Sequence, residues 1–301
     1  MNLQRLIHSV IEQNLQIRNI VVRQNGDITA EHHFSEEKRV LLWSVSKTFT
    51  SMAIGIAEHE GFFKIEDRLS NYFHTPPDNL FNRVTIHDLL CMGTGQRKCP
   101  FTEALNSGKS LDNVEQLFFG EPVVYEPGTH FLYNNAATYM LSKLISLTTG
   151  CCLNDYLRPR IFEPLGIQNV QWENDINGVN YGCSGLYLSA HEVSRFGQLL
   201  LDEGIWENTR LIPQHYIRSA TMKQIDTSDF NEPFATADHK SGYGYQVWMN
   251  SYSGSYRLDG LYGQYVVIIP AKKAVITYIS NEPKNMTAIL ELTWNYVIDQ
   301  L

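Results

Sequence analysis

Near the start of the chain, Leu3, Leu6, Ile7, Val10 and Ile11 recur at spacings of three and four among polar neighbours, which predicts an amphipathic helix to about Leu15. Residues 17–22 then run apolar and β-branched, Asn25-Gly26 is a tight-turn pair, and residues 29–34 return, so a β-hairpin follows. The helical period resumes after Leu41 with Phe49, Met52, Ala53, Ile56 and Ala57, and it ends near Gly61. A link through residues 64–69 reaches the loop Thr75-Pro76-Pro77, and residues 85–90 read as a short helix stopped by Met92-Gly93-Thr94-Gly95. From there to about Gly120 the pattern is polar and loop-like, with a weak helix at 111–118.

Tyr125-Glu126-Pro127-Gly128-Thr129 forms a turn, and residues 135–149 keep a helical period closed by Gly150. Residues 153–162 continue as helix until Glu163-Pro164-Leu165-Gly166, and Ser189 is placed to cap another helix reaching Gly204. After a polar stretch over 226–240, β-type runs occupy 244–250, 265–269 and 274–280, and a last helix spans about 286–301. Sheet segments at both ends around a mainly helical middle predict an α/β (α+β) fold. The expectation is a single domain over 1–301 in two lobes, a sheet lobe of about 1–43 and 241–301 and a helical lobe of about 44–240, with a cleft at their seam.

Composition narrows the function classes. With 301 residues, 43% hydrophobic and 19% charged, the chain can bury a large core, and a net charge of -8 without any basic run argues against nucleic acid and anionic membrane surfaces as partners. No apolar stretch is long enough to span a bilayer and the N-terminal residues lack an export-type apolar core, so a cytoplasmic location is expected. The five cysteines, an odd set without metal-ligand spacing, fit free thiols in a reducing compartment. The histidines are scattered in the same way, and no metal or organic cofactor is implied.

The candidate chemistry begins in Leu41-Leu42-Trp43-Ser44-Val45-Ser46-Lys47, where an apolar run meets a helix. Three residues apart on one helical face, Ser44 and Lys47 are within side-chain reach. A serine hydroxyl is a poor nucleophile until a neighbour takes its proton, and a lysine does so when burial or nearby cations bring its pKa toward neutrality. The alternative for Ser44 is an ordinary helix cap. Ser35-Glu36-Glu37-Lys38 repeats the spacing, but its acidic neighbours and the absence of an apolar helix after it mark a solvated turn. The second candidate is Tyr133-Asn134-Asn135 before a helix. A phenol near the lysine would share its proton, and the Asn135 amide would hold lysine and substrate; packing and an N-cap are the structural alternatives.

Together these two motifs resemble the S-x-x-K and Y-x-N pair of the penicillin-recognising serine hydrolases, in their class C β-lactamase and esterase branch. Further segments are similar in the family's order: Thr85-Ile86-His87-Asp88-Leu89-Leu90, the turn at 125–129, Pro164-Leu165-Gly166, and Ser184-Gly185-Leu186-Tyr187-Leu188-Ser189. The resemblance implies a β-lactamase/transpeptidase-like fold, an antiparallel sheet flanked by N- and C-terminal helices with an inserted helical lobe. It implies catalysis by Ser44, Lys47 and Tyr133 through an acyl-enzyme.

The third motif departs from the family. Where K-T-G or H-x-G is expected on a cleft-lining strand, the chain carries Leu258-Asp259-Gly260, read back from Gly263-Gln264 and the run to Pro270. Leucine replaces the cation and aspartate the hydroxyl, with Arg257 as the cation in a less natural register. Leu258, Asp259, Gly260, Leu261 and Asn135 are the expected substrate-binding positions, and the backbone N–H groups of Ser44 and Leu261 the expected oxyanion donors. The function expected is hydrolysis of a small-molecule ester or amide of carboxylesterase type. The alternatives are a β-lactamase or D-alanyl peptidase, and a non-catalytic binding protein on the same fold.

Overall fold

In the computed structural model the described residues are 1–76, 80–108 and 110–301; Pro77 of the predicted loop lies outside them. The helices are α1 (Gln4–Glu12), α2 (Ser46–His59), α3 (Ile86–Leu90), α4 (Pro100–Asn106), α5 (Val114–Gly120), α6 (Asn135–Thr149), α7 (Leu153–Leu157), α8 (Ala190–Leu201), α9 (Gln214–Ala220) and α10 (Ala288–Tyr296). The strands are β1 (Ile17–Gln24), β2 (Asp27–His33), β3 (Val40–Leu41), β4 (Gln171–Trp172), β5 (Leu186–Leu188), β6 (Ile205–Trp206), β7 (Thr209–Arg210), β8 (Trp248–Met249), β9 (Tyr256–Gly260), β10 (Gln264–Ile269) and β11 (Ala274–Ser280).

The main sheet has six strands in the order β2-β1-β11-β10-β9-β8, every neighbouring pair antiparallel. Its first hairpin turns at Asn25 and Gly26, both with positive φ, as a two-residue loop between twisted strands requires. Because successive strand residues face opposite sides, the sheet serves two cores. On one side Ile20, Val22, Val267 and Tyr278 meet Leu6 and Val10 of α1 and Ile289 and Leu292 of α10. On the other, Val21, Leu258, Val266 and Val275 join the larger core with α2, α6 and α8.

Helix α2 lies at the centre of that larger core. Every residue from Ser46 to Ala57 is buried, as expected of a helix enclosed on all sides, and Phe49 stacks on Phe196 of α8 with ring centroids 3.6 Å apart. Helix α8 begins with a capping box between Ser189 and Glu192, bearing out the predicted cap. Among the described residues, no helix is long and apolar enough to cross a membrane.

Three local expectations are corrected. The stretch read as a polar loop before Gly120 contains α4, which starts with Pro100 in its first turn and buries Phe101 and Ala104. The β-run expected over 244–250 reduces to Trp248–Met249, because Gln246 takes a positive φ of 60° and breaks the extended chain. The cap of α6 is Asn134, whose side chain accepts from the amides of Ala136 and Ala137, leaving Asn135 as the first helical residue.

Candidate active site

The site is built where a short edge strand turns into the central helix. β3 pairs with β5, the Leu42 amide donates to the Leu186 carbonyl at 2.8 Å, and one 3-10 turn over Trp43–Val45 delivers the chain to α2. Trp43 has φ 52°, an unfavourable conformation for a bulky side chain. It is held there by Ser46, whose Oγ donates to the Trp43 carbonyl at 2.6 Å. Ser44 therefore sits half-buried at the tip of a constrained turn, directly ahead of α2. The decoy Ser35 lies in an exposed bend.

Lys47 is 1% exposed. Its Nζ donates to Ser44 Oγ at 2.9 Å and to the Cys183 carbonyl at 2.9 Å. It also lies over the Tyr133 ring, 4.8 Å from the centroid. The Tyr133 hydroxyl itself makes no hydrogen bond among the described residues. Asn135 does not take the predicted place beside the lysine: its amide nitrogen donates to Thr102 Oγ1 at 3.3 Å, and the Cys183 carbonyl fills that role instead. Burial pushes the Cys183 thiol up to about 11, against the pull of Lys47, so the sulfur stays protonated and unreactive at neutral pH.

The third motif lies against this turn. A Cβ on Gly260 would stand 2.4 Å from the Leu42 carbonyl oxygen, so only glycine lets the end of β9 approach the serine turn this closely. Just beyond it, Tyr262 has φ 63° and packs edge-on against Trp43, ring centroids 5.4 Å apart, joining the two strained turns. Leu261, between them, is 44% exposed, and its N–H finds no acceptor among the described residues.

Leu258, expected in the cleft, is 1% exposed and belongs to the larger core. Its partner across β10 is Val266, which faces that core, whereas Asp259 pairs with Tyr265 and faces the other way. Asp259 thus reaches the site without Leu258. Arg257, fully buried on the same face, donates from Nε to Asp259 Oδ2 at 2.8 Å, and His239 Nε2 stands 3.6 Å from the same oxygen. Burial alone would raise the Asp259 carboxyl, but Arg257 and then His239 outweigh it and hold the group below the usual carboxylate range. Breaking such a buried pair by removing one partner costs about 3–5 kcal/mol.

Ser44, Tyr133, Asp259 and Leu261 share a hollow of about 100 Å³ with Phe230, Phe234, His239, Trp248 and Met286. Larger surface depressions, of about 590 and 920 Å³, contain neither Ser44 nor Lys47. Trp248 is the centre of the wall, stacked on Tyr133 at 5.7 Å and in contact with Phe230 at 5.3 Å and His239 at 5.2 Å. These wall residues were not singled out from the sequence. The only local signal was an aromatic pair, Phe230 and Phe234, inside a stretch otherwise polar enough to read as loop.

His87 and Asp88 of α3 and Cys91 just after it bring possible metal-ligand atoms within 4.8 Å of one another. That grouping departs from the expectation that no histidine has ligand spacing. One Asp88 oxygen is already engaged by the Thr85 amide and hydroxyl in the helix capping box, and the trio does not line the hollow.

A family model described as Beta-lactamase matches residues 15–296. The 6-aminohexanoate-dimer hydrolase of Paenarthrobacter ureafaciens is 21% identical over 282 residues, which cover 87% of this chain and 72% of that protein. A beta-lactamase of Escherichia coli (strain K12) is 26% identical over 149 residues, 50% of this chain and 38% of that one. Among solved structures, an octameric penicillin-binding protein homologue from Pyrococcus abyssi superposes with a TM-score of 0.76 at 20% identity, covering 97% of this chain and 76% of the other. The family match spans most of the chain, the superposition extends over nearly all of it, and the chain belongs to the beta-lactamase family of serine hydrolases.

Proposed function

We propose that the chain is a serine acyl hydrolase for small esters or amides with a short acyl group. The observation that carries this reading is the 2.9 Å contact between Lys47 Nζ and Ser44 Oγ at the edge of the aromatic hollow. In the proposed cycle Lys47 takes the hydroxyl proton while Ser44 Oγ bonds to the acyl carbon. The proton passes to the departing alcohol or amine as its bond to that carbon breaks. Water then adds to the acyl-enzyme, the Ser44 ester bond breaks and the free acid leaves. Tyr133, its ring beside Lys47 and its hydroxyl unengaged among the described residues, is the second proton carrier. The Ser44 and Leu261 N–H groups hold the oxyanion.

The short acyl group follows from size. A cavity of about 150 Å³ accommodates benzene, and binding pockets for larger ligands run to roughly 300–1,000 Å³. The hollow, at about 100 Å³, suits an acetyl-to-butyryl chain. No lysine or arginine is among its described lining residues, which weighs against a penicillin or D-alanyl carboxylate as the recognised group. The name of the 21%-identical relative, a 6-aminohexanoate-dimer hydrolase, supports a linear amide as readily as an ester.

Incubation with a fluorophosphonate, followed by intact mass and peptide mapping, tests the nucleophile. A single adduct on Ser44, its loss in Ser44→Ala and its retention in Ser35→Ala are expected, together with faster turnover of p-nitrophenyl acetate or butyrate than of penicillins. An adduct on another serine, or no adduct and no turnover in the folded protein, overturns the proposal.

A further inference from the structure

The unused face of Asp259 bears on which short acyl groups the hollow selects. The two partners of this carboxylate among the described residues, Arg257 Nε at 2.8 Å and His239 Nε2 at 3.6 Å, both meet Oδ2. Oδ1 accepts nothing among the described residues and is not among the buried unpartnered atoms, so it is the oxygen through which Asp259 faces the hollow. His239 Nδ1 accepts from the Thr236 amide at 3.3 Å, which leaves its ring N–H on Nε2, toward Asp259. The Asp238 backbone carbonyl accepts from Arg257 Nη1 at 3.0 Å, while its carboxylate accepts from Ser251 and from Trp294 Nε1. The rings of Trp248, Phe230, Phe234 and Tyr133 and the thioether of Met286 line the same hollow. An open carboxylate oxygen inside an aromatic enclosure is the arrangement that receives a desolvated cation.

We propose that Asp259 makes the site selective for acyl groups carrying a primary ammonium, so that the substrate class is a short aminoacyl ester or amide. The inference rests on the hydrolase reading and specifies its substrate. The overall step is aminoacyl–X plus water giving the free amino acid and H–X, with the acyl carbon passing from X to Ser44 Oγ and then to water. A hollow of about 100 Å³ favours a short link between the ammonium and the scissile carbonyl, so glycyl and β-alanyl groups are the first acyl groups to compare.

Isosteric methyl esters test this with one leaving group, acid release being followed by pH-stat at neutral pH. Glycine methyl ester is paired with methyl propionate, and β-alanine methyl ester with methyl butyrate. The ammonium member of each pair should have a kcat/KM roughly ten- to a hundredfold higher, the factor that one charge-assisted hydrogen bond provides. In Asp259→Asn that ratio should collapse toward one. Propylammonium should inhibit the wild type competitively where propionate does not, and this measurement decides the matter even if the variant fails to fold. Equal rates within each wild-type pair, or preference for monomethyl succinate, would overturn the ammonium assignment while leaving the hydrolase intact. No turnover of any ester and no Ser44 adduct would instead sink the underlying hydrolase reading.

Discussion

Gly260→Ala puts the closeness of β9 and the serine turn to a quantitative test. The added methyl would meet the Leu42 carbonyl oxygen at 2.4 Å, Gln264 Cβ at 3.0 Å and Val45 Cγ2 at 3.3 Å. An ordinary carbon-to-carbonyl contact is about 3.3 Å, so β9 and the turn must separate by roughly 1 Å. The first obstacle is backbone on an element tied to β5 through Leu42 N and Leu186 O, which leaves little room for cheap relaxation. Overpacking of this kind costs about 1–3 kcal/mol, and a melting temperature lower by several degrees is expected.

The kinetic consequence should exceed the thermodynamic one. Leu261, the next residue, is the proposed second oxyanion donor, and a displacement of about 1 Å in a reacting geometry costs on the order of 10²-fold. Thermal melts would be paired with kcat/KM on p-nitrophenyl acetate and with the rate of fluorophosphonate labelling. Gly120→Ala, whose added methyl meets nothing within 4 Å, serves as the control. Unchanged melting and kinetics in Gly260→Ala would refute the contact. A lowered melting temperature with wild-type kinetics would keep the contact but remove Leu261 from the oxyanion site.

Two further outcomes are expected. Lys47→Ala and Tyr133→Phe should each lower kcat by about 10²–10⁴, and the double variant should lose less than the product of the two if one proton path joins them; fully multiplicative losses would separate the residues. The Asp88 carboxylate and then the Cys91 sulfur, accepting from the protonated ring, push His87 up to about 10, above its unfolded value of about 6.5. The stability carried by the charged ring is therefore fully present below about pH 6.5 and lost as pH rises through about 10. Urea midpoints of wild type and His87→Gln should converge across that window, and a constant gap would rule out the ring's charge as the source.

What was legible in the chain depended on how local each feature is. Ser44 and Lys47 could be paired because three residues of helix bring two side chains together whatever the rest of the fold does, and the 2.9 Å contact realises that. The hairpin turn was legible for a similar reason, since Asn25-Gly26 alone supplies both positive φ values. Asn134 and Asn135 are a closer contest: adjacent residues of one type compete for the cap, and the winner is whichever has its oxygen aimed along the helix axis. The wall of the hollow was illegible, because Phe230, His239, Trp248 and Met286 are gathered from separate segments by tertiary packing. Leu258 was misplaced for yet another reason. Resemblance located the motif and Gly260 anchors it against Leu42, but the side faced by each strand residue is a parity, and parity is set by the partner strand. Val266 faces the larger core, so Leu258 does; Tyr265 faces the other way, and Asp259 with it. A lysine at position 258 would consequently enter that apolar core and never meet a substrate carboxylate in the hollow. The nearest cation in the motif is Arg257, on the parity of Asp259 and already bonded to it. A change of substrate charge preference at this site must therefore act through the Arg257–Asp259 pair, with the stability of a buried ion pair at stake in any substitution that breaks it.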